Sequence, residues 1–252
     1  SALSLVLLFW ILILFNVLRG GIYLRRRRFR AGRQNYEIRD FFIPLEPKEN
    51  FREIVAVGQN AIVSRIFLSP RPDWAYFPFI PAVLQLHRLK RFKRALILGG
   101  GGGSVIYNLG QNYPSLKIDV VEKYPTMITM TKQYFLPKLT SQPSLTFYNL
   151  DAAVFVNKAP SRYDFIFVDL FEVNTIPKQC LTKHFILKLR SLLAANGLMI
   201  VNFGYSGRID KLVTLYREFF PNLSLFLWKK NFVGVGGNHL SNQLNLVATK
   251  II

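Results

Sequence analysis

From residue 94 onward the chain alternates short, almost uninterrupted apolar runs with helix-length segments, a pattern that few folds accept. The runs are ALILG (95–99), KIDVVE (117–122), SLTFYN (144–149), DFIFVD (164–169), GLMIVNF (197–203), LSLFLW (223–228) and NLVATK (245–250). A strand with one face in water would alternate apolar and polar residues. Runs that stay apolar suit strands covered on both faces, as in a parallel sheet. Segments 126–136, 182–194 and 208–220 supply helices between them. The spacing predicts a doubly wound, Rossmann-like α/β domain over 81–252. Ahead of it, REIVAVGQNAIVSRIFL (52–68) reads as two strands around Gly58-Gln59-Asn60, a hairpin signal, within a small β-hairpin region over 52–80. Residues 25–51, polar and holding Pro44 and Pro47, read as a basic juxtamembrane linker.

The word juxtamembrane rests on residues 2–18, ALSLVLLFWILILFNVL, in which thirteen of seventeen side chains are Leu, Ile, Val or Phe and none is charged. As a helix they span about 26 Å, and continuing through Gly20-Gly21-Ile22-Tyr23-Leu24 approaches the ~30 Å of a bilayer core. The expectation is one N-terminal transmembrane helix over 1–24. Arg25, Arg26, Arg27, Arg28 and Arg30 follow it. By the positive-inside rule they place the N-terminus outside and the folded domain in the cytoplasm, at an inner or cytoplasmic membrane, with 25–30 touching anionic lipid. The charge is not only local. The chain has 33 Lys+Arg against 14 Asp+Glu, a net +19. Residues 1–40 hold eight Arg with Glu37 and Asp40, so the remainder is basic in its own right. That excess points to an anionic membrane or an acidic partner. Apart from the basic stretch 87–94 there is no nucleic-acid motif, and nucleic acid is not expected as a partner. A single cysteine, Cys180, excludes an internal disulfide framework. With His87, His184 and His239 scattered, no metal site is expected.

In a doubly wound sheet, ligands sit beyond the carboxyl ends of the strands. Four features fall there in order. Gly99, Gly100, Gly101, Gly102 and Gly103 end the first run, where the backbone can approach a ligand closely. Glu122 ends the second, 23 positions after Gly99, where a carboxylate can accept hydrogen bonds from ribose hydroxyls. Asp151 and Ala152 follow the third. Asp151 either accepts from an adenine amino group or caps the helix that follows. Asp169 ends the fourth and faces the pocket centre. Together they indicate an adenosine-containing ligand. The dinucleotide pattern G-x-G-x-x-G fails, because Ser104 stands at its third glycine, and a P-loop lysine is absent. S-adenosylmethionine or its decarboxylated form remains.

These motifs, LILGGGGGS, DVVEKYP, NLDAAVFV and YDFIFVDLFE followed by GLMIVNF, resemble the spermidine synthase-like branch of the class I methyltransferase fold over roughly 52–250. The resemblance implies aminopropyl transfer from decarboxylated S-adenosylmethionine to an amine. It makes Glu122 the ribose acid, Asp151 with Ala152 the adenine contacts, Asp169 the acid that activates the amine, Glu172 a second amine-binding acid and Tyr76 a wall of the amine site. Three positions depart from the family pattern. Gly102 stands where the family has an Asp that contacts the donor's aminopropyl end. Phe77-Pro78 replaces His-Glu, and Glu172-Val173 replaces Asp-Pro. The nucleoside half of the site is thus better kept than the amine half. Three functions follow: a membrane-anchored aminopropyltransferase, an S-adenosylmethionine-dependent methyltransferase, and a non-catalytic accessory subunit of a membrane complex. A homodimer or a membrane-complex protein is the expected partner.

Overall fold

The structure, a computed structural model, describes residues 4–11, 14, 22–59, 61–69, 92–139, 143–159, 162–172, 175–204, 209–228 and 231–237. Four antiparallel strands, β1 (Ile22–Ala31), β2 (Gln34–Phe42), β3 (Phe51–Ala56) and β4 (Ala61–Phe67), pair in chain order. A second sheet holds β5 (Arg94–Leu98), β6 (Lys117–Val121), β7 (Ser144–Tyr148), β8 (Tyr163–Val168), β9 (Leu193–Gly204), β10 (Ser224–Trp228) and β11 (Asn231–Gly237). Its spatial order is β10-β11-β9-β8-β5-β6-β7. The pairs among β5 to β9 are parallel, and β11 runs antiparallel to both β9 and β10. The connecting helices are α1 (Ser104–Asn112), α2 (Pro125–Met130), α3 (Ala152–Lys158), α4 (Lys183–Leu192) and α5 (Ile209–Arg217).

Burial on both faces explains the uninterrupted apolar runs. Leu96, Leu98, Ile166, Val168, Met199 and Val201 pack on one face, against Phe155 of α3, Phe185 and Leu189 of α4 and Val213 of α5. Their neighbours Ala95, Ile97, Phe165, Phe167 and Ile200 pack on the other, against Val105, Ile106 and Leu109 of α1. Two helix starts are capped from their own sequence: Asp151 accepts from Ala153 N–H ahead of α3, and Thr182 accepts from Phe185 N–H ahead of α4. Beyond β5 the chain moves outward through β6 and β7, then returns to the other side of β5 as β8 and β9. The strand order therefore reverses between β5 and β8, which opens a crevice at their carboxyl ends.

The N-terminal third differs from expectation. Residues 25–51 are not a linker: they form most of β1, all of β2 and the entry to β3. Ile22, Tyr23 and Leu24 do not prolong a helix but pair with Phe42, Phe41 and Asp40 of β2. Residues 4–11 are helical and exposed. Among the described residues no helix is long and apolar enough to cross a membrane. The rest of the expected span lies outside the described residues, as does the expected strand at 245–250.

Most of the arginine run is engaged within this sheet. Arg25 and Arg28 bind Glu37, Arg26 binds Asp40, and Arg30 donates to the Gly32 carbonyl. Arg39 completes the set on Glu37, Arg52 on Asp40, and Arg65 pairs with Glu53. All three carboxylates are buried beneath these guanidinium groups. Glu37 and Glu53 lie on one face of this sheet; Asp40 and Arg52 share the other with Ala31, Ile38, Ile54 and Ile66, which pack with Tyr107, Met127, Met130 and Phe135 and dock the small sheet on the large domain.

The bond from Arg28, with Arg39 and Arg25 beside it, outweighs burial and holds the Glu37 carboxyl at about 2, below its ordinary 4.5. A depressed carboxylate contributes stability that is present above the unfolded value and is lost as pH falls through the folded one. Glu37→Gln is therefore expected to lower the thermal midpoint at neutral pH, and the gap to wild type should close between about 4.5 and 2. A gap that is the same at both ends of that range, followed by calorimetry, would refute the assignment.

Candidate active site

Gly99 leaves β5 with φ +93°, and a Cβ there would collide with the Asp169 carbonyl oxygen. No side chain fits, so the two strand ends close on each other, with Asp169 N–H donating to Leu98 O at 2.9 Å. The glycine turn then bends over Glu122, whose Oε2 accepts from Gly100 N–H at 3.1 Å and Gly101 N–H at 3.4 Å, and whose Oε1 accepts from Tyr124 N–H at 2.9 Å. Burial pushes the Glu122 carboxyl above its ordinary range, and the backbone donors offset part of that rise. A carboxylate offers about four acceptor positions. Three N–H donors lie within hydrogen-bond distance, and the Lys123 backbone also acts on the carboxylate.

A cavity of about 600 Å³ opens here, within the range of small-molecule sites. Gly99, Gly101, Glu122, Asp151, Ala152, Asp169 and Glu172 all line it. Gly100 serves through its N–H to Glu122, and Gly103 is the residue from which α1 starts. Tyr76 lies outside the described residues. Asp151 fills its capping role, and its other oxygen accepts from Gln179. Asp169 at the cavity floor accepts one hydrogen bond, from Asn202 Nδ2 at 2.8 Å. Burial raises its carboxyl from 3.8 to about 6, and Asn202 opposes the rise. Glu172 is paired with Lys123, Nζ to Oε1 at 2.6 Å.

Four contributors escaped the sequence reading. Asn202 ends the apolar stretch of β9 and is itself fixed by Gly204 N–H on its Oδ1. A buried amide at the carboxyl end of an apolar strand was the available signal. Lys123 directly follows Glu122. Gln34 and Tyr36 form a wall from β2, the segment expected to be a linker.

Gly102 is explained by packing. It has φ +82°, and a Cβ would meet Ile54 Cδ1 at 2.6 Å and Ser64 Cβ at 2.7 Å. Ser64, on β4, is fully buried and accepts from Ser104 N–H at 3.1 Å, so it caps α1 from the other sheet. The small sheet thus occupies the space that a side chain at 102 would need.

Residues 82–205 match the Spermine/spermidine synthase domain. A polyamine aminopropyltransferase of Vibrio vulnificus (strain CMCP6) is 32% identical over 161 residues, which are 61% of this chain and 52% of that protein. The chain therefore spans about half the length of that relative. Among solved structures, a probable spermidine synthase from Corynebacterium glutamicum superposes with TM-score 0.72 at 18% identity, covering 89% of this chain and 85% of that one. A spermidine synthase in complex with the transition state analogue AdoDATO gives 0.62 at 14% identity, covering 86% and 73%. The sequence matches support the spermidine synthase family, and the structural ones its methyltransferase-like fold.

Restoring an acid at position 102 tests the packing account. Gly102→Asp should lower unfolding free energy by about 1–3 kcal/mol in denaturant melts, the range for overpacking at a strained position. Wild-type stability in this variant would show that the Ser64 and Ile54 side chains move aside freely.

Proposed function

We propose that this chain transfers an aminopropyl group from decarboxylated S-adenosylmethionine to a primary amine and releases methylthioadenosine. The observation that carries the reading is Asp169, a carboxylate at the floor of the cavity, raised by burial to about 6 and touched by one neutral donor, Asn202. An amine arrives as an ammonium and cannot attack until it loses a proton. A base whose affinity for protons lies near neutrality is suited to take it. The freed lone pair attacks the methylene carbon bonded to the sulfonium. The carbon–sulfur bond breaks, and its electron pair stays on sulfur as a neutral thioether. The new carbon–nitrogen bond leaves a secondary ammonium. Glu122 and Asp151 would hold ribose and adenine.

Gly102 favours a second reading. No acid stands where the resemblance assigns one to the donor's aminopropyl end, so the donor would be S-adenosylmethionine and the group transferred its methyl. Calorimetry with both donors, followed by product analysis, separates the two: methylthioadenosine supports the first, S-adenosylhomocysteine the second. We also infer that the exposed apolar residues 4–11 hold the protein at a membrane. Recovery of the full chain in the supernatant after cell fractionation without detergent would refute this.

Asp169→Asn should lower methylthioadenosine formation by about 10²–10⁴-fold, the usual contribution of a positioned base, while donor binding persists. The wild-type rate should rise with pH through a midpoint near 6, because the base works only when ionised. Asn202 stabilises that ionised form, so Asn202→Leu should move the midpoint upward by about half to one unit. A midpoint unmoved by this change, or a wild-type rate in the Asp169→Asn variant, would remove Asp169 from the mechanism.

A further inference from the structure

Among the described residues that line the cavity, Lys123 is the one Lys or Arg, and it faces a carboxylate that an amine substrate would otherwise use. Its Nζ lies 2.6 Å from Glu172 Oε1, a bond that reaches from the loop after β6 to the loop after β8. Both ends are fixed through their backbones. Lys123 O accepts from Asn149 Nδ2 at 2.8 Å, and Glu172 exchanges backbone bonds with Thr175 at 2.8 and 3.2 Å. The side chains are 45% and 42% exposed, which sets the pair at the solvent side of the cavity. The bond to Glu172 strengthens the hold of Lys123 on its proton, so the amine stays charged.

We propose that Lys123 is a specificity-determining residue: by occupying Glu172 it restricts the acceptor to amines with a single cationic centre, and excludes diamines and polyamines. This rests on the transferase reading above. The cavity's four carboxylates are not equally available. Glu122 is seated on three backbone N–H groups, Asp151 on Ala153 N–H and Gln179, and Glu172 on Lys123. Asp169 accepts a single hydrogen bond, from the neutral Asn202 amide, and meets no cation among the described residues. One ammonium is therefore matched at the reacting end. A second ammonium would have to displace Lys123. An exposed ion pair is weak by itself, so the bond alone would not prevent this. The displaced lysine, however, stays tethered within a few ångströms, and two like charges then share one cavity wall, where they interact more strongly than in bulk water. The net charge of +19 acts in the same direction on an approaching polycation.

The test uses the full chain saturated with methylthioadenosine and titrated by calorimetry with butylamine and with 1,4-diaminobutane. Wild type should bind butylamine at least as tightly as the diamine. Lys123→Met should raise the ratio of diamine to monoamine affinity by about tenfold, as expected when a fixed like charge is removed. Lys123→Arg, which keeps the charge, should retain the wild-type order and controls for a disturbed loop. A wild-type protein that prefers the diamine, or a ratio unmoved by Lys123→Met, overturns the proposal. If methylthioadenosine binds but neither amine does in any variant, this inference falls and the nucleoside site stands. If methylthioadenosine itself does not bind, the transferase reading falls with it.

Discussion

One carboxylate and the turn above it organise this protein's cavity. Glu122 is buried, and its charge is matched by backbone N–H groups of the turn that leaves β5 and of the residue two places on. Those donors point at Glu122 because Gly99 takes a left-handed conformation and lies against the Asp169 backbone. An unmatched buried carboxylate would be costly, and an unmatched row of N–H groups nearly so. Each therefore fixes the other. The ends of β5, β6 and β8 are held in one arrangement before any ligand arrives, which is what a site needs if binding is not to be spent on ordering it.

The small sheet completes the site rather than decorating it. Ser64 supplies a cap to α1, Ile54 and Ser64 fill the space beside Gly102, and Gln34 and Tyr36 wall the cavity. This couples the identity of residue 102 to the docking of a second sheet. The sheet in turn stands on Glu37, Asp40 and Glu53, three buried carboxylates whose desolvation is tolerable because arginines close over them. Such pairs are costly to break from one side, since a lone buried charge remains.

The two halves of the cavity have different electrostatics. Around Glu122 and Asp151 the donors are neutral backbone and amide groups. Around Asp169 and Glu172 they differ: Asp169 is desolvated and lightly bonded, while Glu172 is paired with Lys123. That asymmetry agrees with the basic character of the whole chain and underlies the proposed preference against polycations.

The α/β sheet, and the strand ends that carry Gly99, Glu122, Asp151 and Asp169, were legible in the amino-acid pattern alone. Strands buried on both faces must be apolar throughout, and in such sheets the chemistry lies where those runs stop. The pattern did not reveal β1, because IYLRRRRFRA has no strand signal until Glu37 and Asp40 are set opposite its arginines. It did not reveal β11, whose NFVGVGG sequence looks like a loop; a Cβ on Gly234 would lie 2.7 Å from Phe203, so the glycine is there to make room. Nor did it reveal that Asn202 serves Asp169, 33 residues away, or that Lys123 reaches Glu172 across 49. Local pattern reports which face of a strand is buried. Which side chains from separate strands share a charge is settled only in three dimensions, because it depends on strand order, and strand order leaves no periodicity behind.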